Sequence, residues 1–209
     1  MSAYMSLPRK GKGAGIVVLQ EIFGVNESMR KVCDFLAARQ FTAICPDLFW
    51  RAEPGVELKE SEFERARALR GKMNDDQVTD DIASAMDFLR KHPACTGGVG
   101  VVGYCWGGRV TYLAACKTNI AAGVAYYGGG IAQLLADTPR VPVMFHFGEK
   151  DTHIPLADVD KIRAAYPQGT YHLYPAGHGF NCTERGDYEA ASARLAFERT
   201  IEFFHKHVG

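Results

Sequence analysis

Five residues, Gly103-Tyr104-Cys105-Trp106-Gly107, constrain the fold of this chain more than any others. They stand between the apolar run Val99 to Val102 and the helix-compatible stretch Gly108 to Ala115. A strand that turns directly into a helix needs glycine on both sides of the turn, so that nothing collides with the strained apex residue whose side chain is pushed outward. The apex residue here is Cys105, so the group presented is a thiol sulfur. Such an elbow requires a strand buried within a sheet and a helix packed against it.

The rest of the chain supplies that setting. Apolar, β-branched runs alternate with longer segments of helical period, the pattern of strands joined by crossover helices in a mostly parallel sheet. Six strands are predicted, at Ile16 to Gln20, Thr42 to Cys45, Val99 to Val102, Gly123 to Tyr127, Val141 to Phe147 and Thr170 to Tyr174. Helices are expected at Glu27 to Arg39, Asp75 to Lys91, Gly107 to Cys116, Leu156 to Tyr166 and Gly186 to His205, with Cys33, Leu36 and Ala37 showing the spacing of a buried face. Runs this continuous suit a sheet covered by helices on both faces. The fold class is therefore α/β, and 209 residues suit a single domain spanning 1–209. Arg51 to Asn74 differs: it opens on Arg51-Ala52-Glu53-Pro54-Gly55 and turns charged and helical from Glu60 to Arg70, as a lid or flank would. The chain begins in a short extended stretch, leaving room only for an abbreviated edge strand before Tyr4.

Charge and cysteine usage narrow the partners. Lys plus Arg and Asp plus Glu each number 24, so no long-range field favours nucleic acid or an anionic membrane. No apolar run reaches the roughly 20 residues of a membrane span, and Met1-Ser2-Ala3-Tyr4 lacks the basic-then-apolar pattern of a leader, which points to a soluble, cytoplasmic protein. The six cysteines, at 33, 45, 95, 105, 116 and 182, are scattered and are expected to be reduced, and all but Cys105 and Cys182 to be buried and inert. With no C-x-x-C or H-x-x-x-H pair, no metal or other cofactor is expected.

A reactive thiol needs a base to take its proton and a carboxylate to orient that base, at the carboxyl ends of strands where loops project from a rigid sheet. After the strand ending at Phe147 comes Gly148-Glu149-Lys150-Asp151, and after the strand ending at Tyr174 comes Pro175-Ala176-Gly177-His178. The order Cys105, Asp151, His178 is the nucleophile, acid, histidine order of the α/β-hydrolases. Competing readings make Asp151 a turn residue or helix cap and His153 the base, while His146 and His172 read as packed strand residues and His205 and His207 as a solvated tail.

With these residues in place, the chain resembles the dienelactone hydrolase family, the cysteine branch of the α/β-hydrolases, nearly end to end. Gln20-Glu21-Ile22-Phe23-Gly24, Cys45-Pro46-Asp47-Leu48 and Tyr126-Tyr127-Gly128 carry the resemblance further. It implies that Glu21 contacts the resting thiol and restrains its ionisation, and that the backbone N–H groups of Ile22 and Trp106 form an oxyanion hole. Family members hold a substrate carboxylate with two arginines, and at the matching positions this chain has Phe63 and Cys182. Arg51, Arg65, Arg67 and Arg185 are the basic residues near enough to restore a charge. Cys182 lines the pocket, oxidises with Cys105 or is inert. Phe49, Trp50, Phe63, Trp106 and Phe180 would make an aromatic pocket suited to a neutral ester or lactone. The expected activity is hydrolysis of a small-molecule ester or lactone through a thioester, by a monomer or homodimer without cofactor. The alternatives are a thioesterase or small-peptide hydrolase with the same triad, and a thiol sensor that never turns over.

Overall fold

A computed structural model describes residues 1–209. Its seven-stranded sheet comprises β1 (Ala3–Ser6), β2 (Gly13–Leu19), β3 (Thr42–Pro46), β4 (Cys95–Tyr104), β5 (Gly123–Tyr126), β6 (Val143–Gly148) and β7 (Thr170–Tyr174), in the order β1-β3-β2-β4-β5-β6-β7. All neighbours are parallel except the β1–β3 pair, which is antiparallel with Tyr4 opposite Cys45. The six helices are α1 (Glu27–Ala38), α2 (Phe63–Gly71), α3 (Asp75–Lys91), α4 (Trp106–Lys117), α5 (Leu156–Ala165) and α6 (Ala190–His207). This is the mostly parallel α/β sheet expected from the alternating pattern, in the α/β-hydrolase arrangement that the family resemblance implies.

The predicted strands are all present, and β4 extends further back, from Cys95. Residues 96 and 97 at its start are exposed, so this stretch has no apolar run to announce it. β1 is the element that went unassigned: four residues with an exposed start, held by pairing with β3 more than by burial. The charged flank contributes α2, whose buried residues are only Ala66 and Leu69. His205 is exposed and His207 half-buried, as a solvated tail requires, but both belong to a helix. They end α6, where the His205 ring lies 4.7 Å from that of Phe41 and the His207 ring 4.6 Å from that of Phe203.

β2 is buried over its whole length, including Ile16, Val17, Val18 and Leu19, as both faces of a central parallel strand must be. Each such side chain stabilises the fold by about 1.5–3 kcal/mol. α1 starts where Asn26 accepts the Met29 N–H, and it turns Met29, Val32, Cys33, Leu36 and Ala37 inward. From β2 the chain crosses outward to β3 and returns to β4 on the other side. The loops beyond β2 and β4 consequently diverge and leave a crevice at their carboxyl ends.

Candidate active site

Cys105 stands at the crevice with φ 53° and ψ −115°, a backbone conformation that a side chain rarely adopts. The turn is pinned by the Cys105 N–H donating to the Tyr126 carbonyl and by the Arg109 N–H donating to the Cys105 carbonyl. Its glycines have no room for a side chain. A Cβ on Gly103 would lie 2.0 Å from the Gly107 carbonyl oxygen, and one on Gly107 would lie 2.4 Å from that of Leu19. Close packing of α4 on β2 and β4 therefore enforces the strained apex.

β6 and β7 bring the other two groups to the same end of the sheet. The Cys105 Sγ is 3.2 Å from His178 Nε2, and His178 Nδ1 is 2.8 Å from Asp151 Oδ2. Asp151 Oδ1 accepts the N–H groups of His153 and Ile154, which fixes the carboxylate ahead of α5. His178 and Asp151 are buried, whereas Cys105 is partly exposed, so only the sulfur of the three opens substantially to the crevice. Burial alone would lower the His178 pKa. Hydrogen bonds with Asp151 and Cys105 outweigh it and hold the imidazole up at about 10. His153 faces this group without replacing it: its ring meets that of His178 edge-on at 4.9 Å, and its N–H serves Asp151.

The N–H of Trp106, the first residue of α4, has no acceptor within its helix, and that of Ile22 lies in the loop after β2. Neither donates in the backbone bonds of the turns and loops. This geometry leaves two donors available near the elbow.

A family model for the dienelactone hydrolase family matches residues 1–208. The chain belongs to that family. It is an ester and lactone hydrolase. It is 36% identical to a carboxymethylenebutenolidase of Pseudomonas sp. (strain P51), covering 98% of this chain and 89% of that one. Identity to a carboxymethylenebutenolidase of Pseudomonas putida is also 36%, over 96% and 89%. A crystal structure from Klebsiella pneumoniae, provisionally named a dienelactone hydrolase, superposes with a TM-score of 0.87 at 30% identity, covering 98% and 92%.

Around Cys105, His178 and Asp151, this hydrolase departs from the pocket expected from its sequence. Phe180 has no exposed surface, since Tyr126, Tyr127 and Tyr174 enclose it, and it supports the wall from behind. Phe49 is equally enclosed, stacked on Trp106 with ring centroids 5.3 Å apart. Phe63 is 38% exposed at the start of α2. Cys182 is buried against the Ser28 hydroxyl, and burial pushes its thiol up to about 11. It makes neither a disulfide nor a hydrogen bond with Cys105 but lines a cavity of about 390 Å³ with Glu21, Phe23 and Arg185.

Glu21 is fully buried, and the resting contact with the thiol implied by the family resemblance is absent, because Cys105 is turned to His178. Its Oε2 lies 3.8 Å from the Arg185 guanidinium, and its Oε1 has no hydrogen-bond partner, nor has the buried hydroxyl of Tyr127. Burial raises the Glu21 pKa, opposed by the charges of Arg185 and His178. Arg185 is itself 9% exposed and also binds Glu60, which ties the flank to the histidine loop. Of the basic residues singled out in the sequence, this one alone reaches the site. Arg51 pairs with Asp81, Arg65 pairs with Glu53, and Arg67 is exposed. Arg70, which the sequence reading passed over, places its guanidinium 5.2 Å from the centre of the Trp106 ring. The signal was available, because Arg70 follows the inward-facing Ala66 and Leu69 at the edge of α2.

Proposed function

We propose that residues 1–209 form one α/β-hydrolase domain that opens a small-molecule ester or lactone through a thioester on Cys105. The observation carrying this reading is the unbroken relay from the Cys105 sulfur through His178 to the Asp151 carboxylate, at 3.2 and 2.8 Å. An imidazole held at about 10 is protonated at neutral pH, which favours a thiolate paired with imidazolium. The start of α4 adds its dipole in the same sense.

The Cys105 sulfur attacks the acyl carbon, and the electron pair of the carbonyl moves onto oxygen, where the N–H groups of Ile22 and Trp106 hold it. Collapse of that intermediate breaks the acyl–oxygen bond, and His178 gives its proton to the leaving alkoxide. His178 then takes a proton from water. The hydroxide formed cleaves the carbon–sulfur bond, releasing the acid and the Cys105 thiolate, and the proton taken from water stays on His178 to restore the ion pair. Asp151 holds the ring orientation throughout. The six free cysteines suit a reducing compartment, and we place the reaction in the cytoplasm.

The test is hydrolysis of p-nitrophenyl valerate and of p-nitrophenyl hydrogen glutarate by the wild type and by Cys105→Ala. Cys105-dependent steady turnover on either supports the reading. Release of one product per enzyme without turnover assigns Cys105 to a sensor, and turnover by Cys105→Ala removes it from the chemistry.

A further inference from the structure

The crevice is flanked by two guanidiniums of unequal freedom. Arg185 faces two carboxylates, Glu21 at 3.8 Å and Glu60 at 3.2 Å, so its charge is compensated inside the protein. Arg70 has one carboxylate nearby, Asp75 at 3.4 Å, and that carboxylate is held more closely by Arg109 at 2.7 Å. The next acidic residue, Asp76, is taken by Lys117. The Arg70-Asp75-Arg109 cluster thus carries two positive charges and one negative.

The cluster also has more donors than acceptors. Trp106 is 4% exposed with an Nε1–H that has no partner, and the Nε of Arg109 is likewise buried and unpartnered. A buried N–H without an acceptor costs stability unless a ligand supplies one. The Arg70 side chain is 28% exposed, its guanidinium makes only long hydrogen bonds, to the Met73 carbonyl at 3.5 Å and to Asp75 at 3.4 Å, and it lies over the ring of the residue next to Cys105. Burial lowers the Arg70 pKa, with Arg109 acting in the same direction and Asp75 and Cys105 opposing it.

We propose that Arg70 is a specificity-determining residue of this hydrolase, gripping a carboxylate on the substrate as the ester carbonyl reaches Cys105. This rests on the reading of Cys105 as the nucleophile. It assigns charge selection to the last turn of α2, at neither of the positions, Phe63 and Cys182, where family members carry arginine.

The deciding experiment measures kcat and KM of the wild type, Arg70→Gln and Arg70→Lys on p-nitrophenyl hydrogen glutarate and p-nitrophenyl valerate, which differ by one carboxylate. For Arg70→Gln the expected result is about a tenfold loss of kcat/KM on the glutarate, carried by KM, with valerate within about twofold. Arg70→Lys retains part of the preference, because it keeps the charge and loses the planar fork. Equal losses on both esters, or an unchanged ratio between them, would overturn the proposal. If Arg70→Gln does not fold, the Arg70→Lys ratio and the salt dependence of wild-type KM decide, and a glutarate KM that does not rise with salt refutes it. Failure of the nucleophile reading looks different, since Cys105→Ala would then retain activity on both esters.

Discussion

The elbow and the charged flank sit on opposite sides of one crevice and are built in opposite ways. Cys105, Asp151 and His178 each follow a strand of a rigid parallel sheet, and the strands fix their separations to within hydrogen-bonding distance. On the other side, residues 51–74 hold few buried groups and connect to the histidine loop through Glu60 and Arg185. Chemistry that tolerates little displacement is carried by the sheet, and recognition by segments free to vary.

The contrast is broken most forcefully at the sheet. Cys105→Ala should lower kcat/KM on either p-nitrophenyl ester by about 10⁴-fold or more, and Asp151→Asn by about 10³-fold, in initial-rate measurements. Losses below about tenfold in both would move the chemistry elsewhere. Gly107→Ala is the structural counterpart, for its Cβ would press on the Leu19 and Gln20 carbonyls. It should cost about 1–3 kcal/mol in denaturant unfolding, and an unchanged midpoint would mean the elbow is not under strain.

Comparable substitutions in the flank should act on selectivity alone, with Arg70→Gln shifting the glutarate-to-valerate ratio about tenfold and leaving the unfolding midpoint close to wild type.

The pH dependence sharpens the same distinction. His178 has a folded pKa of about 10 against an ordinary value of 6.5. Its protonation therefore contributes stability that is complete below about pH 6.5 and lost as pH rises toward 10. Thermal unfolding followed across that window should show this loss in the wild type and a flatter profile in His178→Ala. Equal slopes would remove the ion pair from the account.

The same division explains what was legible in the sequence. Apolar runs announced β2 to β7, and a residue past each of three strands announced the meeting of Cys105, Asp151 and His178, because strand ends are where a sheet delivers side chains. β1 was hidden since a short edge strand is held by its partner's backbone. The pocket was misread because composition does not say which aromatic faces inward: Phe49 and Phe180 are enclosed, while Phe63 is exposed. Arg185 was one of four basic residues that spacing could not separate, and Arg70 depended on the tilt of α2 across Trp106.

The intermediate proposed on Cys105 is covalent and can therefore be weighed. The enzyme would be quenched in acid during steady hydrolysis of p-nitrophenyl valerate, then weighed intact and mapped by peptide fragmentation. The account predicts a valeryl adduct on the peptide containing Cys105, absent in Cys105→Ala and accumulating in any variant slowed in deacylation. An unmodified Cys105 during Cys105-dependent turnover, or a valeryl group on another residue, would contradict it.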